Sequence, residues 1–268
     1  MKTVLSLFAL ILVIGLASCT KHSESETFFP AEPDKVVASL HSSFDSLNSD
    51  ASTIASAIAQ NINDTIAIRG DMLELFYRSS FVLEFSFVNL QGIMQIVEPP
   101  VYHYIEGSDI SLQDHVVKCF QKKQPVLSKV FYAVEDFYAV VDIHPILRQG
   151  ELLGGITALF RQQLLLKRII QPLIENQPFE MWVMEKGGVV LFDQDTMEIG
   201  RNVITDTLYA PFPELIAAAK LIDANKSGET TYSFYQTGTT KKVVKKTYWK
   251  TFELYGNEWK IIWVKPEN

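Results

Sequence analysis

Cysteine is nearly absent. The 268 residues hold two, Cys19 and Cys119, too few for a disulfide framework, so the fold must stand on its apolar core. Long hydrophobic runs are missing after the N-terminus. The best later stretch, "LLLKRIIQPLI" (Leu164–Ile174), is broken by Lys167, Arg168 and Pro172, which excludes a second membrane span of ordinary length. Positive charge is also short: 24 Lys and Arg stand against 31 Asp and Glu, a net charge of −7. That balance argues against nucleic acid or anionic lipid as the main partner. The one basic cluster, Lys241-Lys242-Val243-Val244-Lys245-Lys246, alternates with apolar residues and reads as an exposed strand edge. Catalytic signatures are missing too. There is no G-x-S-x-G elbow and no phosphate-binding loop, and "GELLGG" reads as a turn. His22, His41, His103, His115 and His144 are scattered without metal spacing, so neither a cofactor nor enzymatic activity is expected. A hydrolase is the catalytic reading that a substrate screen would have to revive.

What is present begins at the N-terminus. Lys2 and the apolar run Leu5–Leu16 make a secretion signal over residues 1–18. Leu16-Ala17-Ser18-Cys19 resembles the lipobox of prokaryotic lipoproteins, which implies cleavage before Cys19 and lipid on its sulfur. The plain alternative is an ordinary signal cut near Ala17 or Ser18, with Cys19 left as a free thiol. Residues 19–33 are polar and read as a tether. The mature chain is then expected at the outer face of the cell membrane or in the periplasm. Hydrophobic content of 47% and aromatic content of 12% fit a folded chain of one or two domains.

From Asp34 the pattern turns helical. Val37, Leu40, Phe44, Leu47, Ala51, Ile54, Ile58, Ile62 and Ile66 recur at steps of three and four, one stripe on a helix capped by Asp34 and running over residues 34–80. At 1.5 Å per residue it reaches roughly 60 Å. Such a stripe suits either a coiled-coil dimer or two small domains stacked along one helix. The remainder favours two domains. Phe87–Ser111 and Trp182–Thr205 repeat one order: apolar strand, glycine turn (Gly92; Gly187-Gly188), second strand, then a polar loop closing on Gly107 or Gly200. Helices over Leu112–Gln121 and Pro213–Ala224 follow. Strands are expected at Val130–Val134, Tyr138–Ile143 and Leu152–Phe160, then at Thr230–Gln236, Val243–Glu253 and Trp259–Val264. Glu135-Asp136 reads as a solvated hairpin turn, and Leu164–Glu175 as a joining helix. The expected class is α+β, with a long N-terminal helix supporting two PAS-like units over residues 81–160 and 178–265, each around a central antiparallel sheet.

This order resembles the double Cache domain of prokaryotic extracellular sensors. The stretches that carry the likeness are "PPVYHYIEGSDISLQDHV", "KKQPVLSKVF", "VDIHPILRQGELLGGITALF", "VMEKGGVVLFDQDTMEIGRNV", "KSGETTYSF" and "GNEWKIIWV". The resemblance implies binding of a small extracellular molecule between a sheet and its covering loops and helix, with the first unit distal to the membrane. It also implies signalling through a receptor or kinase. Since the sequence stops after the last strand, that output is expected from a separate transmembrane partner. The alternative is an envelope lipoprotein whose Cache-like units dock a membrane protein. The amino-acid-binding subgroup of the family carries an Arg-x-Trp-Tyr type run in its first unit. None occurs between Phe81 and Phe160, so an amino-acid ligand has no motif behind it.

The first unit has the richer inventory for a pocket. Tyr102, His103 and Tyr104 follow its second strand. Period-two alternation puts Tyr138, Asp142 and His144 on one strand face, with Tyr132 nearby, while Ala139, Val141 and Ile143 take the other. Tyr102, Tyr104, Tyr132, Tyr138, Asp142 and His144 are therefore the candidate ligand residues, able to hold a small polar or cationic molecule. The plain alternative is that their face is exposed to solvent. Trp182, Met184, Asp193 and Arg201 are weaker candidates in the second unit. Cys119 reads as a buried, inert thiol. Asn63-Asp64-Thr65 and Asn225-Lys226-Ser227 fit the glycosylation sequon.

Overall fold

A computed structural model describes residues 29–267. The signal segment, Cys19, His22 and most of the tether lie outside the described residues. The apolar stripe forms α1 (Glu32–Gln60), and α2 (Thr65–Arg78) follows. The single helix expected as far as residue 80 is thus two. Asn61 leaves helical geometry at φ −143°, ψ 71°, and the Asp64 carboxylate caps α2 by accepting the Ala67 N–H at 3.0 Å. Asn and Asp make such local bonds readily, and here they outcompete continuation of the helix. One sequon therefore coincides with a helix cap. At the other end α1 starts from Ala31, not Asp34. Pro33 sits in the first turn, where its missing N–H leaves nothing unpaired, and Asp34 lies inside that turn beside the positive end of the helix dipole.

Val36, Leu40, Phe44, Leu47, Ala51, Ile54 and Ile58 are buried along α1, whereas Val37 is half-buried and Ile66 is exposed. The stripe is covered by the chain's own sheets, which leaves it unavailable for a coiled coil. The first sheet contains β1 (Glu84–Asn89), β2 (Met94–Glu98), β3 (Val126–Leu127), β4 (Phe131–Tyr132), β5 (Tyr138–Arg148) and β6 (Glu151–Phe160), in the order β2-β1-β6-β5-β3 with β4 beside β5. The second contains β7 (Glu180–Glu185), β8 (Val190–Phe192), β9 (Ser227–Tyr235), β10 (Lys242–Leu254) and β11 (Asn257–Pro266), in the order β8-β7-β11-β10-β9. Leaving β4 aside, the two orders are the same, so the internal repeat is one of topology. α3 (Asp114–Lys122) covers the first sheet, α5 (Pro213–Ala224) covers the second, and α4 (Gln162–Ile174) joins the units.

Each sheet is buried on both faces. Phe85, Phe87, Val140, Ile146 and Phe160 of the first, and Met181, Val183, Phe252, Trp259 and Ile261 of the second, turn towards α1 and share one core with it. The opposite faces form two separate cores under α3 and α5. Period-two alternation makes this possible: Met181 and Val183 go one way, Trp182 and Met184 the other. The Lys241–Lys246 segment is an edge only in its first half: Lys242–Val244 pair with β9 alone and are largely exposed, whereas from Lys245 the strand is flanked on both sides. β10 is hydrogen-bonded to β9 through Lys242–Lys250 and to β11 through Lys245–Leu254. Lys245 is buried as a result. In the first unit Gly92 holds a turn at φ +77°, where a Cβ would lie 2.4 Å from Ser111 Cα. Only glycine allows that close approach.

Candidate functional site

The outer face of the second sheet encloses a cavity of about 120 Å³. Strand alternation builds most of its wall. β7 supplies Glu180 and Trp182, β9 supplies Tyr232 and Phe234, and β10 supplies Lys245. The loop after β8 adds Asp193, Asp195 and Glu198, Tyr209 comes from the turn before α5, and α5 adds Leu215. Residues 236–239, the β9–β10 connection, form the exposed rim.

Its charges are largely spoken for. Lys245 Nζ lies 2.8 Å from Glu180 Oε2, and Tyr209 donates its hydroxyl hydrogen to Glu198. Burial and the Glu198 contact both raise the Tyr209 phenol, and burial raises that of Tyr232, so both stay neutral donors. Asp193 differs. Its carboxylate accepts the backbone N–H of Asp195 at 2.8 Å. Burial still pushes it up to about 7, with Glu198 adding to the rise and the Asp195 N–H opposing it. A carboxyl whose folded pKa is raised contributes stability that is complete below its unfolded value, 3.8 here, and lost as pH rises through about 7. Asp193→Asn keeps the accepting oxygen and removes the charge. It is expected to raise the melting temperature at about pH 8 by at least about 2 °C and to flatten the decline between about pH 4 and 8, read by differential scanning fluorimetry.

The first sheet carries the equivalent cavity, much smaller at about 20 Å³ and lined by Glu84, Ser86, Gln113, His115, Glu135 and Thr157 among others. Glu84 and Glu135 are both buried. Burial drives the Glu84 carboxyl well above its usual range, and a hydrogen bond and charge from Glu135 drive it further. Glu135 was expected in a solvated turn. It is instead folded into this cavity, while Asp136 takes the turn's left-handed backbone at φ +69° and bonds the Tyr132 hydroxyl at 2.5 Å. Burial pushes the His115 imidazole down to about 4, so it is neutral.

None of the six expected ligand residues lines either cavity. Tyr104, Tyr132 and Tyr138 are exposed, with the Tyr132 and Tyr138 rings edge to face at 5.2 Å, and Tyr102 is half-buried. Asp142 and His144 pair at 3.3 Å on the α1 side of β5, where the His144 ring meets Tyr255 of the second unit. The cavity side of β5 belongs to Val141, on the face assigned to core by alternation. Burial of both faces is the reason: period-two alternation separates the faces of a strand without saying which one meets a ligand. Of the weaker candidates, Trp182 and Asp193 line the larger cavity. Met184 packs into the core beneath it, and Arg201 holds Asp206 at 3.4 Å. Glu84 had a sequence signal, a lone acid inside the apolar run "FVLEFSFV".

Cys119 is fully buried, and burial, aided by Asp142, pushes its thiol up to about 12. It is expected to resist iodoacetamide in the native protein and to react at once in denaturant, scored by intact mass. Among the described residues no three His, Cys, Asp or Glu side chains are placed to hold a metal ion, and no helix is long and apolar enough to cross a membrane.

Residues 42–162 match the family model described as "HK/GC/Chemotaxis protein-like, sensor domain". No curated protein matches the chain. Among solved structures it is similar to an extracellular ligand binding receptor from Desulfohalobium retbaense, with a TM-score of 0.74 and 22% identity over 90% of this chain. That match covers 41% of the receptor's chain, so this protein spans less than half of it. It is also similar to the ligand-binding domain of the Pseudomonas aeruginosa amino acid chemoreceptor PctB in complex with L-Gln, with a TM-score of 0.64, 12% identity and 88% coverage of both chains. A third is the ligand-binding domain of the Pseudomonas fluorescens chemoreceptor CtaA in complex with L-alanine, with a TM-score of 0.63, 10% identity, and 88% of this chain and 94% of that one covered.

Proposed function

The chain has the double Cache fold of extracellular sensor domains, and from that premise we propose that it is a lipid-anchored extracellular module that binds a small molecule in its second unit. The observation that carries the site is the cavity of about 120 Å³ between the second sheet, α5 and the 236–239 rim. It is a concave, half-open site in which five aromatic side chains, Trp182, Tyr209, Tyr232, Phe234 and Tyr235, stand among charged and polar groups, and a concave site of apolar surface with placed polar groups suits a small ligand. The first-unit cavity has the same place in its own unit but is about 20 Å³, little more than the space for a water. The chemistry is binding without turnover. Cys19 would carry the lipid, and one acyl chain holds only marginally, so firm anchoring takes two.

A thermal-shift screen of the chain from Lys21 against a metabolite panel tests this reading. A ligand at a hundredfold excess over its Kd adds about 2.7 kcal/mol to stability. Thr237→Trp, at an exposed rim position, is expected to block the cavity and abolish the shift without unfolding the protein. Tyr138→Ala is expected to leave it intact. The reverse pattern would return the site to the first-unit residues Tyr132, Tyr138, Asp142 and their neighbours. A panel with no hit, alongside co-purification with one membrane protein, would favour the docking alternative. For the anchor, Cys19→Ala is expected to release the protein from the membrane fraction.

A further inference from the structure

Four carboxyl groups line the second-unit cavity, those of Glu180, Asp193, Asp195 and Glu198, against one ammonium, Lys245. Lys245 is buried and held by Glu180 at 2.8 Å. Glu198 is held by Tyr209, and Asp195 accepts the Met197 N–H at 3.0 Å. Asp193 has only the Asp195 N–H, and among the described residues it has no ion-pair partner. An anion entering here would meet an excess of negative charge and a lysine already neutralised.

The other lining groups favour a cation. Trp182, Tyr209, Tyr232, Phe234 and Tyr235 present aromatic surface. Rings in this region already hold the chain's own ammonium groups. Lys242 Nζ lies 4.7 Å from the centre of the Phe212 ring, and Lys245 Nζ 5.9 Å from that of Phe234. Aromatic faces attract cations through their quadrupoles. Trp182 adds a separate sign that something is to be bound. It is 7% exposed, and its Nε1–H makes no hydrogen bond of ordinary geometry, although the Tyr232 hydroxyl lies near it. A buried donor without an acceptor is costly unless a ligand or water supplies one.

We propose that the second-unit cavity takes a small organic cation, an ammonium on an apolar body, with its charge against Asp193 and its body among the aromatic rings. This rests on the reading of that cavity as the ligand site. Trp182 Nε1–H remains available to an oxygen acceptor on the same molecule. Ionised Asp193 is the form that binds. The groups facing it are Glu180 from β7, Tyr232 from β9, Lys245 from β10, Asp195 and Glu198 from its own loop, and Tyr209 before α5. Of these, Lys245 is the one cation, and it is paired. Affinity should therefore fall below about pH 7, where Asp193 takes up a proton.

Three probes of one shape decide the matter: phenethylamine, 2-phenylethanol and phenylacetate, titrated calorimetrically into the chain from Lys21. At about pH 8 the amine is expected to bind at least about tenfold more tightly than the alcohol or the acid, the usual scale of a hydrogen bond to a charged group. Asp193→Asn, which is expected to fold at least as well, should remove that preference. Glu84→Gln, in the other unit, should change nothing. Phenylacetate binding as tightly as the amine, or a preference that survives Asp193→Asn, would overturn the cation assignment and leave the cavity as a binding site. Silence from all three, with a metabolite hit that Thr237→Trp still abolishes, would also overturn the assignment while keeping the site. Silence without any such hit would remove the site as well.

Discussion

Replacing Phe44 by alanine is expected to destabilise both units together, by about 3–5 kcal/mol. Phe44 sits in the middle of α1, fully buried, where the two sheets meet the helix. Its ring lies 6.1 Å from Phe81 and 5.7 Å from Phe160 on the first unit's side, and 5.6 Å from Phe252 and 6.2 Å from Trp259 on the second's. Aromatic pairs add about 0.5–1.5 kcal/mol each beyond simple burial, and the cavity left by truncation adds its own cost. Because one ring serves both units, the melting curve should stay a single transition and move down by about 10 °C, followed by calorimetry. Two separate transitions, one of them unmoved, would mean that α1 does not unite the cores.

The second large effect is expected at Glu258. Its carboxylate gathers three ammonium groups: Lys260 at 2.8 Å, Lys186 at 3.0 Å and Lys226 at 3.0 Å. Lys260 is buried to 1% exposure and also donates to Asn225 O and Thr251 Oγ1, each at 3.1 Å. Removing the carboxylate leaves that ammonium buried without its counter-charge, a loss of about 3–5 kcal/mol for Glu258→Ala. The double change Glu258→Leu with Lys260→Met should recover much of it, since no charge is then left unpaired. Burial alone would raise the Glu258 carboxyl, but the bonds from Lys260, Lys186 and Lys226 outweigh it and hold it at about 2. A depressed carboxyl contributes stability that is present above its unfolded value and lost as pH falls through the folded one. The wild-type protein should therefore lose stability between about pH 4 and 2, and Glu258→Ala should lose less over that window, measured by urea denaturation at each pH. Equal acid sensitivity in the two would contradict this.

The architecture was legible where one period held over many residues. The α1 stripe could be read because its buried members recur from Leu40 to Ile58 at helical spacing. The two units could be read because Gly92 and Gly187-Gly188 mark the same turn in each repeat. The break at Asn61–Asp64 was harder. Ile62 and Ile66 continue the spacing even though α1 has ended, Ile62 lying in the break and Ile66 in the first turn of α2, where it is exposed. The site was legible in fragments. Trp182 and Asp193 stand out as an aromatic and an acid beside apolar strands. Their convergence with Tyr232 and Lys245 depends on the sheet order β7-β11-β10-β9, which brings together residues about fifty positions apart. Lys245 was read as an edge residue because a basic alternating strand looks the same whether or not a neighbour pairs with it. On β5 both faces are buried, so alternation separated Val141 from Asp142 without indicating which one faces the cavity.

The most direct test of the central claim is hydrogen exchange of the chain from Lys21, with and without a ligand found in the thermal-shift screen. Local protection reports which cooperative segment a ligand holds. The account predicts slowed exchange in Asp193–Tyr209 and Thr230–Thr239, the loop and strand that enclose the second-unit cavity. Protection confined to Phe131–Asp142 in the first unit, with the second unchanged, would contradict it.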